Sequence, residues 1–383
     1  MKILCLIDRL CTPGGAERQL VTLARALAAR GHECTIAALF SGSDLARDLP
    51  SWGIEFHELG VRSRRDPVAA GIKVARLIRK GRYDVVQAHL LSSAIASGLS
   101  RTLVEGPGRV VVLHDLDFKH DPPKRIRKKA FCALHLFCLR RYTDGIVAAS
   151  DSIARYYQNE MGINREIGVI PNSIELGRSA ETFLSGREKV RKDLALGDET
   201  SVLVCSARLV EQKGHSVLLR ALELLKQKGL FPKLMLIGSG PLEAEIREAT
   251  AKAGLEKQVI MIAAMPYEQA LRHVAAADLY VSPSLQEGFG MAVAEAMALG
   301  VPVAGTAVDG VLRLVEDGVS GLLVPPGDAE ALANAIARVL QNRELRQRLG
   351  RAAAERIQTH FSPAAIAERW EGHFDKLLAP RVC

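Results

Sequence analysis

Several common features are missing from this sequence, and each absence narrows what it can be. The seven cysteines in 383 residues are scattered, odd in number and form no Cys-x-x-Cys pair. That argues against a disulfide framework or a zinc site and points to a reducing, cytoplasmic setting. No stretch of about 18 uncharged apolar residues occurs, so no membrane-spanning helix is expected. The first apolar run, Ile3 to Ile7, is broken at Asp8 and Arg9 and reads as a buried strand rather than a leader. Aromatic residues are only 5% of the chain, too few to supply stacking platforms, and no nucleic-acid motif is present. The Gly-x-Gly-x-x-Gly fingerprint of dinucleotide binders is also absent.

What is present is a soluble, globular composition with 48% hydrophobic residues, and a chain too long for one ordinary core. Apolar runs alternate with helical stretches in both halves. In the first half the runs are Lys2–Ile7, Cys34–Phe40, Val85–Ala88, Val110–Leu113 and Gly145–Ala149. In the second they are Val202–Ser206, Leu234–Ile237, Val259–Ile262, Ala276–Val281 and Gly321–Val324. Strands separated by helices predict an α/β protein of two Rossmann-like domains, each with a parallel sheet covered on both faces. A last helix is expected from Ser362 to Leu378, opened by a Ser-Pro pair.

The net charge of +8 is local. Between Lys119 and Tyr142 stand Lys119, Lys124, Arg125, Arg127, Lys128, Lys129, Arg140 and Arg141 against the one acid Asp121. Residues 122–142 read as a helix with basic ends and an apolar middle carrying Phe131, Leu134, Phe137 and Leu139. Such a helix suits an anionic membrane surface. It is equally what a domain helix with a core-facing side and solvated lysines looks like.

Residues 281–300 carry the strongest chemical signal. A strand ends at Ser282-Pro283-Ser284, Gly288 and Gly290 bracket Phe289, and a helix-forming run follows to Gly300. Glu287 stands on the turn and Glu295 eight residues later on the helix. Carboxylates accept paired hydroxyl donors, as vicinal diols present them. Arg208 and Lys213 follow the Val202–Ser206 strand, on a strand-to-helix loop where Arg offers a fork and Lys a mobile point charge to phosphate oxygens. Pro13-Gly14-Gly15 makes a turn ahead of a helix from Ala16 to Arg30, where backbone N–H groups can approach a phosphate. His89 and His114 each end a strand of the first half, where open α/β sheets bind ligands. Asp115-Leu116-Asp117 has the Asp-x-Asp form that holds a divalent ion elsewhere, but it lies in the wrong half for that use, and no metal is expected.

The block Glu287-Gly288-Phe289-Gly290, Glu295-Ala296-Met297-Ala298, Gly300-Val301-Pro302-Val303 resembles the Glu-x7-Glu signature of retaining glycosyltransferase family 4 (glycosyltransferase group 1), which has the GT-B fold. Three other stretches are similar to that family: Gly14-Gly15-Ala16-Glu17, Arg208 to Gly214 with Ala207 where the family has Gly, and Leu234 to Pro241 with its Gly238-Ser239-Gly240-Pro241 end. Ile170-Pro171-Asn172-Ser173-Ile174-Glu175 resembles the family's domain junction, with Ser173 and Glu175 in place of Gly and Asp. Thr306 to Gly310 replaces a Gly-Gly loop, which leaves backbone contacts to a diphosphate open there.

The resemblance implies two domains facing a central cleft: 1–171 with the helix 362–378 crossing back to it, for the acceptor, and 172–361 for the donor. It implies a retaining, metal-independent enzyme that moves a sugar from a nucleotide-diphosphate sugar to a glycan or lipid-linked acceptor hydroxyl, in envelope polysaccharide or glycolipid synthesis. Glu287, Arg208, Lys213 and His114 would be catalytic; Gly15, Gly238, Gly288, Phe289, Gly290 and Glu295 would bind the donor. No cofactor or nucleic acid is expected, and the place of work would be the cytoplasm, at the inner face of the cell membrane where residues 122–142 dock to it. The alternatives are a nucleotide-sugar 2-epimerase on the same architecture and a non-catalytic sugar-nucleotide-binding protein.

Overall fold

The computed structural model describes residues 1–11, 15–64, 66–114, 126–176, 180–197 and 199–379. The chain divides into two compact units, Met1–Ser173 with Pro363–Cys383, and Ile174–Ser362.

The first unit runs β1 (Lys2–Ile7), α1 (Gly15–Ala29), β2 (Glu33–Ala38), a 3₁₀ stretch, β3 (Glu55–Glu58), α2 (Pro67–Gly81), β4 (Val85–His89), α3 (Leu91–Ser100), β5 (Gly108–Leu113), α4 (Ile126–Arg141), β6 (Gly145–Ala148), α5 (Asp151–Asn159) and β7 (Gly168–Val169). Its seven strands lie in the order β3-β2-β1-β4-β5-β6-β7, all parallel. β1 and β4 are buried almost throughout, as strands covered on both faces must be. Local chemistry sets the helix starts: Asp66 accepts the Ala69 N–H at 3.0 Å with Pro67 beside it, and Ser150 caps α5.

The second unit opens with α6 (Ala180–Leu184) and α7 (Arg187–Asp193). It continues with β8 (Val202–Ser206), α8 (His215–Gln227), β9 (Lys233–Ile237), α9 (Glu243–Lys252), β10 (Val259–Ile262), α10 (Tyr267–Ala275), β11 (Leu279–Ser282), α11 (Met291–Ala298), β12 (Val303–Thr306), α12 (Asp309–Leu314), β13 (Leu322–Val324), α13 (Ala329–Gln341) and α14 (Arg343–His360). Its parallel sheet has the order β10-β9-β8-β11-β12-β13. Both sheets therefore reverse direction of growth beside their first strand, at β1/β4 and at β8/β11. That switch point is where an open α/β sheet leaves a crevice at its strand ends.

The last helix, α15 (Pro363–Leu378), belongs to the first unit. Ile366, Ala367, Trp370 and Phe374 repeat at helical spacing and share one core with Ile3, Val110 and Val147. At its outer edge Glu371 takes two hydrogen bonds from Arg30, at 2.8 and 2.6 Å, and stands 2.8 Å from His32. Those hydrogen bonds from Arg30 pull the Glu371 carboxyl down to about 2.

Between Leu176 and β8 stand two short helices, α6 and α7, separated by two residues. At Ile170–Glu175 neither Asn172 nor Ser173 takes a left-handed conformation, so Ser in place of Gly carries no backbone strain. Ser173 is held instead by Gln19, whose Oε1 accepts its N–H at 2.9 Å and whose Nε2 donates to its carbonyl at 2.9 Å.

Candidate active site

The β8/β11 switch point of the second unit gathers most of the predicted residues. After β8 the chain passes Arg208 and a single 3₁₀ turn, Glu211–Lys213, before α8 begins. After β11 it passes Glu287 and turns into α11 at Gly290. The two loops are joined by backbone: the Leu285 and Gln286 N–H groups donate to the Gln212 carbonyl at 2.8 and 3.3 Å. They are joined again by charge, with Lys213 Nζ 2.5 Å from Glu287 Oε2 and both side chains only 18% exposed. The Arg208 guanidinium is exposed, and no described residue hydrogen-bonds or ion-pairs with it.

Tyr280 stands on β11. It is buried, and its hydroxyl donates to the Ser206 carbonyl at 3.0 Å, tying the end of β8 to β11. Burial pushes its phenol well up, with smaller contributions from Cys205, Glu295 and Glu287. Glu295 is half-buried on α11. The geometry thus offers one exposed guanidinium, one ammonium and two carboxylates at a strand-end crevice. That set suits a ligand carrying both phosphate and hydroxyl groups.

The glycines divide by role. Only Gly290 of the bracketing pair has positive φ, at 88°; Gly288 does not, and a Cβ there would meet nothing within 4 Å. The sharp bend therefore rests on Gly290, while Gly288 leaves open space above the turn. Phe289 turns inward, 6% exposed, with its ring 6.1 Å from that of Phe361. A ligand can meet its backbone but not its ring. Gly238 has φ of 148°, and a Cβ there would sit 1.9 Å from the Ala207 carbonyl oxygen. Its work is to let the loop after β9 lie against the loop that carries Arg208, where the Leu209 N–H also donates to the Ser239 carbonyl at 3.1 Å. The loop that replaces the Gly-Gly pair has a similar use. The Gly310 N–H donates to the Glu287 carbonyl at 3.2 Å, and a Cβ at Gly310 would meet Phe289 N and Glu287 O at 2.8 and 2.9 Å. That amide is spent on holding the Glu287 turn.

Sequence reasoning passed over His215. It is buried, its Nε2–H donates to the Arg208 carbonyl at 3.1 Å, and burial lowers its basicity, so it works as a neutral donor bracing that loop. Its place directly after Lys213-Gly214 was the available signal.

His114 and Gly15 belong to the first unit. Gly15 is the first residue of α1, and a Cβ there would meet nothing within 4 Å. His114 follows β5, with its Nε2 2.8 Å from His89 Nδ1 and the two rings stacked at 5.0 Å. At the β1/β4 switch point Asp8 is buried and accepts from Ser93 N and Ser93 Oγ, both at 2.9 Å, which anchors the start of α3. Gly14, Asp115 and Asp117 lie outside the described residues, as does the start of the basic segment, Pro122 to Arg125. Among the described residues no group of three His, Cys, Asp or Glu stands close enough to hold a metal ion.

Two family models match this chain one after the other, Glycosyltransferase Family 4 over residues 13–178 and Glycosyl transferases group 1 over residues 186–356. The chain belongs to the group 1 glycosyltransferases. The lipopolysaccharide core biosynthesis glycosyltransferase LpsE of Rhizobium meliloti is 29% identical to it over 358 residues, 93% of this chain and 94% of that one. The amylovoran biosynthesis glycosyltransferase AmsK of Erwinia amylovora is 38% identical over 162 residues. That match spans only 41% of this glycosyltransferase and 40% of AmsK. Among solved structures, HepE of Anabaena in complex with UDP superposes with a TM-score of 0.77 at 22% identity, over 98% of this chain and 100% of that one. The fold of this glycosyltransferase is accordingly GT-B.

Proposed function

We propose that this glycosyltransferase takes a nucleotide-diphosphate sugar as donor, binds it on the second unit and transfers its sugar with retention, without a metal. The observation that carries the reading is the 2.5 Å pair of Lys213 and Glu287, which joins the loop after β8, where Arg208 stands, to the loop after β11 that leads into the helix of Glu295. Arg208 and Lys213 hold the diphosphate, Glu287 the sugar ring and Glu295 the ribose diol. HepE, solved with UDP, supports this choice of ligand. The first unit takes the acceptor, with His114 at its strand ends.

In the transfer step the anomeric carbon's bond to the diphosphate oxygen breaks, and its bond to the acceptor oxygen forms on the same face. The acceptor's hydroxyl proton passes to the departing diphosphate. Arg208 and Lys213 stabilise the negative charge that builds on that leaving group, as preorganised cations can. The test is product analysis with sugar nucleotides and an acceptor panel in EDTA. A glycoside of unchanged anomeric configuration plus nucleoside diphosphate is expected. An inverted product overturns retention, and a full loss of activity restored by a divalent ion overturns metal independence. An epimerised nucleotide sugar made without acceptor overturns transfer itself.

The acceptor we propose is a glycan or lipid-linked glycan of the cell envelope, reached at the inner face of the membrane; the similarity to LpsE supports that class. α4 offers a docking surface. Its Cys132, His135, Cys138 and Leu139 are buried in the first unit, which uses up part of the apolar middle. The outer face keeps Ile126, 85% exposed, and Phe137, 49% exposed, with Arg127, Lys129 and Arg141 exposed around them. Two apolar side chains amid basic ones suit anionic lipid. Vesicles with anionic lipid should retain the protein at low salt and release it at high salt, and an Ile126→Ser, Phe137→Ser variant should bind them less. Equal binding to neutral and anionic vesicles would sink this surface.

A further inference from the structure

We infer that Arg356 is a positioning residue for Glu287: it fixes the short helix α12, and α12 holds the turn on which Glu287 stands. This rests on the reading of Glu287 as the group that meets the donor sugar. α12 has six residues, Asp309–Leu314. A helix shorter than about 12–15 residues does not hold by itself in water, so α12 depends on what packs against it. The last carbonyls of a helix have no partner inside it. Arg356, on α14, takes two of them. Its Nε–H donates to the Leu314 carbonyl at 2.6 Å, and its Nη2 donates to the Arg313 carbonyl at 3.3 Å. Its Nη1 stands 3.3 Å from the Glu316 carboxylate. One planar guanidinium engages three oxygens in a fixed fork, which a lysine ammonium cannot reproduce.

The other end of α12 bears on the turn. The Gly310 N–H donates to the Glu287 carbonyl at 3.2 Å. Leu314 is fully buried and reaches the bend at Gly290, where a Cβ would stand 3.3 Å from Leu314 Cδ1 and 3.5 Å from Glu287 Cγ. Leu314 therefore carries the link in one residue, its carbonyl on Arg356 and its side chain beside the Glu287 turn. The same helix α14 holds the turn at a second point. Phe361, which closes α14, is buried with its ring 6.1 Å from that of Phe289. Its carbonyl accepts the Ile174 N–H at 2.7 Å, which pins it from the far side. α14 also lies tight on the end of α11, since a Cβ at Gly350 would sit 2.3 Å from the Gly300 carbonyl oxygen. Lys213 pairs with the Glu287 carboxylate, while α12, set by Arg356, holds its backbone.

Amide hydrogen exchange read by NMR tests the link on the empty protein. In Arg356→Ala the Gly310 amide should speed up about tenfold more than the Val204 and Met235 amides of the buried strands β8 and β9, the size of one hydrogen bond from a charged group. Equal acceleration of all three amides would mean that Arg356 only stabilises the unit, and an unchanged Gly310 amide would mean that α12 does not depend on it; either overturns the inference. Binding adds a second reading, with UDP and UDP-glucose and then other nucleoside diphosphates and their sugar conjugates. Arg356→Ala should bind the sugar conjugate about tenfold more weakly. It should bind the bare nucleoside diphosphate within a few-fold of wild type, because Glu287 meets the sugar while Arg208 and Lys213 meet the diphosphate. Arg356→Lys, which can keep one of the three contacts, should recover part of the loss. Equal weakening of both ligands overturns action through Glu287. If Glu287→Ala binds the conjugate like wild type, the reading of Glu287 falls instead, and the exchange result still decides whether Arg356 holds the turn.

Discussion

Lys213→Ala should lower turnover by about 10²–10³-fold with the fold intact, and Arg208→Ala by the same order. On the proposed reading both cations face charge that exists fully only as the diphosphate leaves, so their loss should fall on kcat more than on KM. The structure separates the two. Arg208 is exposed and engaged by no described residue, so its removal leaves the empty protein unchanged. Lys213 is paired with Glu287 at 2.5 Å, and its removal also frees a carboxylate that is only 18% exposed. Lys213→Ala should therefore weaken donor binding as well, through a disordered Glu287. Steady-state kinetics with the native donor read both effects. Turnover within a few-fold of wild type for both variants would remove the diphosphate from this loop.

Gly238→Ala should be the most damaging small substitution in the second unit. It combines a backbone conformation that alanine rarely takes with a methyl placed 1.9 Å from the Ala207 carbonyl oxygen. Strain of that kind costs about 1–3 kcal/mol and forced overpacking a similar amount, so a loss of about 2–5 kcal/mol is expected. The loop that must give way carries Arg208, so donor affinity should fall with stability. Gly288→Ala is the matched comparison, since its methyl would meet no protein atom within 4 Å. Its stability should stay within about 0.5 kcal/mol of wild type, while, with the donor placed as proposed, the methyl should intrude on its space and weaken binding. Urea unfolding alongside donor titration separates the two. Equal stability of both variants would contradict the packing role of Gly238.

How much of this could be read from the sequence depended on how each residue does its work. The buried strands of the second unit were plain, because parallel strands covered on both faces are continuous apolar runs: Val202–Ser206 and Val259–Ile262 match β8 and β10 residue for residue. β3, Glu-Phe-His-Glu at a sheet edge and partly exposed along its length, gave no such run. Charged residues on strand-to-helix loops were also readable: Arg208 and Lys213 follow β8, Glu287 follows β11, and Lys213 pairs with Glu287 at 2.5 Å. What a glycine is for was not readable. Gly238, Gly288 and Gly310 look alike in sequence. In space one avoids a carbonyl, one leaves open room and one packs against the Glu287 turn. Nor does sequence show which face of α4 is spent on the core, since its apolar residues are spread around the helix. The His89–His114 contact joins residues 25 apart through β4/β5 pairing, a register that only the assembled sheet reveals.

The most direct test of the donor site is a thermal-shift titration of wild type and Glu295→Ala with UDP, other nucleoside diphosphates and their sugar conjugates. A ligand that binds only the folded protein raises Tm, by about 2.7 kcal/mol of added stability at a hundredfold excess over Kd. One nucleotide sugar should stabilise the wild type, and Glu295→Ala should lose most of that shift while melting at the same temperature when empty. A shift of equal size in both proteins would show that the ribose is not held by Glu295, and would contradict the placement of the donor on the β8/β11 crevice.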